Sequence, residues 1–149
     1  MSKRTLVSSL IGIVTLGGIT AGGIAVASAN SRPTLDNTSA RYVAPSDGRA
    51  GSLTFTTDAS DDSGIRSLKV LAWPASSKLD PTAAELRHAE SATCESLSDA
   101  KARCTYTLKV TKTQAADLAK GTWYISTLAT AEDGDVSFES RAATFEITR

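Results

Sequence analysis

From Leu53 to Trp73 the chain imposes a pattern that few folds can accommodate. Leu53, Phe55, Thr57 and Ala59 fall at every second position, with Thr54, Thr56 and Asp58 between them. That alternation belongs to a strand with one face in a core and the other in water. Ser60-Asp61-Asp62-Ser63-Gly64 interrupts it, and Gly64 is free to take a positive φ. Ile65 to Trp73 then resumes it, with Leu68, Val70 and Ala72 on one side and Lys69, Leu71 and Trp73 on the other. Apolar residues on both sides predict a central strand, or one whose second face is covered. Taken alone, the two runs look like a hairpin around an acidic turn.

The rest of the chain continues in the same style. Arg41 to Ala44 predicts a short first strand, ended by Pro45 and the turn Ser46-Asp47-Gly48. After Pro74 the character changes. Asp80 is placed to cap a helix with Pro81 at its first position, which predicts a short surface helix over Pro81–Ala89, anchored by Leu86. Ala92–Glu95 and Arg103–Val110 predict the next two strands. Thr111-x-x-Gln114 is a capping box opening one or two helical turns, stopped at Gly121. Thr122–Ala131 is a further strand, Asp133-Gly134 a turn, and Val136–Phe138 with Ala143–Thr148 a last or split strand. About seven short strands separated by turn signals predict an all-β fold, a β-sandwich, with one short helix inserted between the third and fourth strands.

The amino-terminal residues are expected to stand outside that fold. Lys3 and Arg4 precede an uncharged, glycine-loosened apolar run from Leu6 to Val26, and Ala27-Ser28-Ala29 is an A-x-A site. This predicts a signal peptide over residues 1–29, cleaved after Ala29, with Ala27 as the second choice. The alternative is an uncleaved membrane anchor. Residues 30–40, polar and carrying Pro33, are expected to be a flexible leader to a single domain over 41–149. Loss of Lys3 and Arg4 from 16 Lys plus Arg, against 16 Asp plus Glu, leaves a net charge near −2. A nucleic-acid or anionic-membrane partner would need a basic patch, so neither nucleic-acid binding nor membrane insertion after cleavage is expected.

Cys94 and Cys104 are the only cysteines. In an exported chain a disulfide between them is the natural reading. Metal ligation or a redox pair are the alternatives, but the spacing is not C-x-x-C and no His pair stands by to complete a zinc site.

Leu118-Ala-Lys-Gly121-Thr-Trp123-Tyr124-Ile125, followed by Ala129-Thr-Ala-Glu-Asp133-Gly134-Asp135-Val136-Ser137, resembles the end of bacterial immunoglobulin-like and fibronectin-type repeats. Asp58-Ala-Ser-Asp61-Asp62-Ser-Gly64-Ile65 resembles the corner between strands B and C of those modules. Leu71–Pro74, Cys94–Cys104 and Gly121–Trp123 together are similar to a family of small secreted actinobacterial proteins of unknown function. The resemblance covers most of residues 41–148. It implies an immunoglobulin-like sandwich and carries no activity. In that fold Leu53–Trp73 becomes strands B and C of opposite sheets, and the acidic turn bridges them. The cysteines depart from the immunoglobulin pattern, falling on one hairpin, and Trp123 is placed to fill the core centre.

The same implied fold gathers the B–C, D–E and F–G loops at one pole. Asp61, Asp62, Asp133 and Asp135 would meet there, with Glu132 and Asp99 nearby. Oxygen ligands from several loops suit calcium, although acidic turns are equally ordinary Asx-turns. His88, the single histidine, sits beside Arg87 and Glu90 on the surface helix, and no nucleophile–base constellation accompanies it. No catalytic residue and no cofactor other than a calcium ion is expected. Tyr42, Trp73, Tyr106, Trp123 and Tyr124 read as packing residues; a carbohydrate face would require Trp73 and Tyr124 exposed side by side. The functional expectation is a secreted, non-catalytic binding or structural module whose partner is an extracellular protein or a cell-wall polymer. The rival is a secreted inhibitor or effector presenting Leu97 on the Cys94–Cys104 loop.

Overall fold

The computed structural model describes residues 31–148. The signal segment expected over residues 1–29, with its cleavage site, lies outside them. Eight strands form two four-stranded antiparallel sheets. In chain order these are β1 (Thr34–Val43), β2 (Gly51–Ser60), β3 (Ile65–Pro74), β4 (Glu90–Ser91), β5 (Thr93–Ser98), β6 (Lys101–Val110), β7 (Gly121–Ala131) and β8 (Val136–Ile147). The first sheet runs β1-β2-β6-β5 and the second β4-β3-β7-β8. Their apolar faces pack together as a β-sandwich.

The alternation in the sequence decides which side chains enter the core. Leu53, Phe55 and Ala59 of β2 stand beside Leu108, Tyr106 and Ala102 of β6. Leu68 and Val70 of β3, Ile125 and Ala129 of β7, and Phe145 and Ile147 of β8 face them from the second sheet. Phe55, Leu68 and Ile125 are fully buried at the centre. Trp123, expected there, lies partly buried at the edge of the cluster, its ring 6.0 Å from Phe145 and its Nε1 donating to Ala119 O. β2 and β3 belong to opposite sheets, so the acidic turn bridges the sandwich and is not a hairpin tip.

Several boundaries differ from the sequence reading. β1 begins at Thr34, so most of the leader expected over residues 30–40 is sheet. The mostly polar residues there pair with β2 between Phe55 and Ser60, and their main-chain bonds hold them where hydrophobic pattern gives no signal. The strand count is eight rather than seven because Glu90 and Ser91 pair with Val70 and Lys69. The last strand is continuous, with an irregularity opposite Ile125 and Thr127. The helix expected over Pro81–Ala89 contracts to α1 (Ala83–Leu86), and its cap is Thr82, not Asp80. Thr82 Oγ1 accepts from Glu85 N while Glu85 accepts from Thr82 N, a capping box that needs no proline. A second short helix, α2 (Lys112–Asp117), opens on the expected box of Thr111 and Gln114.

The segment carrying α1 lies over the outer face of the second sheet. Trp73, on that face, is only 4% exposed, and Leu86 and Leu128 are also buried. Trp73 Nε1 donates to Ser126 Oγ at 2.9 Å, and Ser126 Oγ donates to Ser140 O at 2.7 Å. The apolar second face of β3 is therefore covered from within the chain.

Candidate functional site

The pole that the sequence singles out does gather its turns. Glu132 N donates to Gly64 O, Asp133 N to Ser63 Oγ, and Asp61 N to Ala100 O. Gly64 has φ +96°, and a Cβ there would stand 2.9 Å from Asp99 O, so only glycine fits this junction. The carboxylates do not converge. Asp61, 5% exposed, turns inward to accept from Ser63 N and Ser63 Oγ through Oδ1. Asp62 accepts from Ser31 Oγ, and Asp133 Oδ1 from Asp135 N. Glu132 pairs with Arg66. Among the described residues no group of three His, Cys, Asp or Glu side chains is arranged to hold a metal ion. Asp61 and Asp133 thus hold their own turns in shape at this pole.

Cys94 and Cys104 form the expected disulfide, joining directly opposed residues of β5 and β6 with Cα atoms 4.0 Å apart. Cys104 is fully buried. Leu97, 52% exposed, is the residue skipped where the β5–β6 register shifts. The aromatic residues make no exposed platform: Trp73 is buried, and Arg141 covers the Tyr124 ring, its guanidinium carbon 4.5 Å from the centroid.

Asp58 is the most strongly held charge that the alternation pattern would leave in water. Arg103 Nε and Nη2 donate to its two oxygens at 2.8 and 3.2 Å, and Asn37 Nδ2 donates to Oδ2 at 3.0 Å. Asn37 reaches it from the irregularity in β1, with φ +50°. The hydrogen bonds from Arg103 and then Asn37 hold the Asp58 carboxyl down at about 2.

The concavity suited to a ligand lies elsewhere. The two lateral sides of the sandwich are unlike. On one, β1 lies against β8, and the Tyr42 and Phe145 rings stack 6.4 Å apart. On the other, the chain crosses between sheets at Ala92, whose N–H donates to Leu68 O. Beyond that crossing β5 no longer accompanies β6, and β4 no longer accompanies β3. The sheets stand open there as a cleft of about 560 Å³. Leu53, Val70, Val110, Leu118, Trp123 and Phe145 line its apolar interior. Tyr106 and Glu90 bar its upper end, the phenol donating to Glu90 Oε2 at 2.6 Å from one sheet to the other. Burial and that bond push the Tyr106 phenol well above its usual range. His88, Gln114 and Asp117 also line the cleft. Leu108 faces the cleft yet is 41% exposed, because β5 does not continue beside it on the side away from β2.

Sequence reasoning assigned Tyr106 and Trp123 to packing and missed the cleft. Its trace in the sequence was slight: the strand expected over Ala92–Glu95 is only half as long as its partner over Arg103–Val110.

A family model described as a family of unknown function (DUF5707) matches residues 35–129, from the first strand to Ala129 of β7. No curated protein and no solved structure matches the chain.

Proposed function

The chain belongs to the DUF5707 family of unknown function, and from that premise we propose that it is an exported, non-catalytic binding module whose site is the cleft between its two sheets. The observation that carries this reading is the cleft itself. Its volume of about 560 Å³ lies in the range of ligand pockets, and an apolar interior with few polar groups at the rim is their usual make-up. The polar lining consists of Tyr42, His88, Glu90, Tyr106, Gln114 and Asp117, with no Ser, Thr or Cys nucleophile; this supports binding over catalysis. The sheet orders β1-β2-β6-β5 and β4-β3-β7-β8 correspond to A-B-E-D and C′-C-F-G of an immunoglobulin-like sandwich, a fold in common use for recognition. Export is supported by Lys3, Arg4, the apolar run and Ala27-Ser28-Ala29, together with a disulfide that needs an oxidising compartment. The partner is then an extracellular protein or a cell-wall polymer.

A neutral naphthylamine dye that brightens in apolar surroundings tests the site. The purified protein should bind it saturably, and Ala72→Trp, which fills the cleft, should abolish binding with the far-ultraviolet spectrum unchanged. Equal dye binding by both proteins would remove the cleft as the site. Leu97, exposed on the stapled hairpin, supports a second reading as a protease inhibitor. That reading is abandoned if a panel of secreted proteases is slowed by none of the protein added.

A further inference from the structure

Along the mouth of the cleft, one strand lacks a neighbour. β6 pairs with β2 through Val110, but β5 leaves it after Thr93 meets Thr105. Cys94 and Cys104 oppose each other at 4.0 Å, the close spacing of a non-hydrogen-bonded antiparallel pair. The main-chain groups of Cys104 therefore point toward β2, and those of Thr105 toward β5. By the same alternation, the N–H and C=O groups of Thr107 and Lys109 point out of the sheet, where β5 is absent. Tyr106, Leu108 and Val110, between them, face the cleft. Among the described residues no strand pairs with these groups, so the edge presents them directly above an apolar slot, the pairing that strand addition uses.

We propose that the cleft is completed by an extended segment of a partner protein, which adds a strand to β6 at Thr107 and Lys109 and inserts alternate apolar side chains between the sheets. This rests on the cleft being the binding site, and it names the kind of partner. Charge at the rim specifies the segment further. Glu90 and Asp117 line the cleft and no Lys or Arg does, so the segment carries basic residues at the inward-facing positions that reach these two, beside its apolar ones, and none opposite Lys109. A small apolar ligand would fill the slot but leave the Thr107 and Lys109 groups unmatched. A second copy of this edge would bring Lys109 of both chains onto one short ladder, a like-charge pairing.

The probe is a short fluorescent peptide alternating valine and threonine, with lysine in place of the outermost valines, titrated by anisotropy. Two comparison peptides replace lysine with glutamate or carry N-methyl groups on alternate main-chain nitrogens. The lysine-bearing peptide should bind, and both comparison peptides should bind at least about tenfold more weakly. Lys109→Pro and Thr107→Pro remove one outward N–H each, at positions where an edge strand tolerates proline. Each should weaken the peptide at least about tenfold while leaving the melting temperature and dye binding in place. Undiminished binding of the N-methylated peptide, or by both proline variants, overturns strand addition, as does dimerisation that Lys109→Pro abolishes. Dye binding without peptide binding rejects this proposal and leaves the cleft as the site. Failure of both dye and peptide rejects both.

Discussion

Asp58 illustrates how a single residue can contradict its own pattern. Its position on β2 assigns it to the outward face, yet it is 3% exposed, because Arg103 and Asn37 close over it. The resulting carboxylate is far easier to keep ionised in the folded chain, at about 2, than in the unfolded one, near 3.9. A depressed folded value means the contribution is complete above about pH 4 and is lost as pH falls toward 2. Asp58→Asn should therefore lower stability at neutral pH and flatten the stability curve between about pH 4 and pH 2. Urea denaturation of both proteins across that interval is the measurement, and parallel curves would contradict the assignment. Asn37 belongs to the same arrangement: its positive φ and its amide are both used, and neither use is visible from a polar stretch that alternation leaves unassigned.

At the scale of the element, the instructive case is the segment from Ala75 to Ala89. Its helix is one turn, α1, too short to persist alone. It stays in place because Leu86 is buried where α1 lies against β3 and β7, with Pro81 buried just ahead of it. Capping at Thr82 sets where the turn starts; burial of Leu86 gives it a reason to exist. Leu86→Ala should cost about 2–4 kcal/mol in urea unfolding and shift Trp73 emission to longer wavelength as water reaches the indole. A loss under about 0.5 kcal/mol would mean that the segment is held by its main chain instead. β5 gives the contrary lesson. It begins only at Thr93, after the chain has crossed from the other sheet at Ala92, and that leaves Tyr106–Val110 of β6 without a neighbour on this edge.

For the molecule as a whole, asymmetry matters more than strand count. One lateral side is closed by β1 against β8; the other is crossed at Ala92 and held by the Tyr106–Glu90 bond, and below that it opens. The disulfide lies above the opening, where β5 and β6 are still paired. Joining residues 10 apart, it should stabilise the fold by about 3 kcal/mol in the chain-entropy account. The Cys94→Ala/Cys104→Ala protein should melt on the order of 10 °C lower and, where still folded, retain dye binding in the cleft. Loss of dye binding with the fold intact would tie the bridge to the cleft directly.

The resemblance to immunoglobulin-like repeats implied the change of sheet between β2 and β3 and the meeting of acidic turns at one pole; the sequence by itself determined the strands of the core, the α2 capping box and the cysteine pair. Each of these follows from short-range rules: alternation over a few residues, glycine where φ is positive, a side chain within reach of its own main chain. What only the tertiary structure decided depends on residues far apart. β1 reaches back to Thr34 because β2 offers it main-chain partners, not because its side chains are apolar. The aspartates of the pole were legible as a group, but their partners were not: Asp61 and Asp133 turn onto their own loops, and Asp62 onto Ser31. The cleft was hidden altogether: alternation marks Tyr106, Leu108 and Val110 as inward-facing and is silent on whether a neighbouring strand continues beside them.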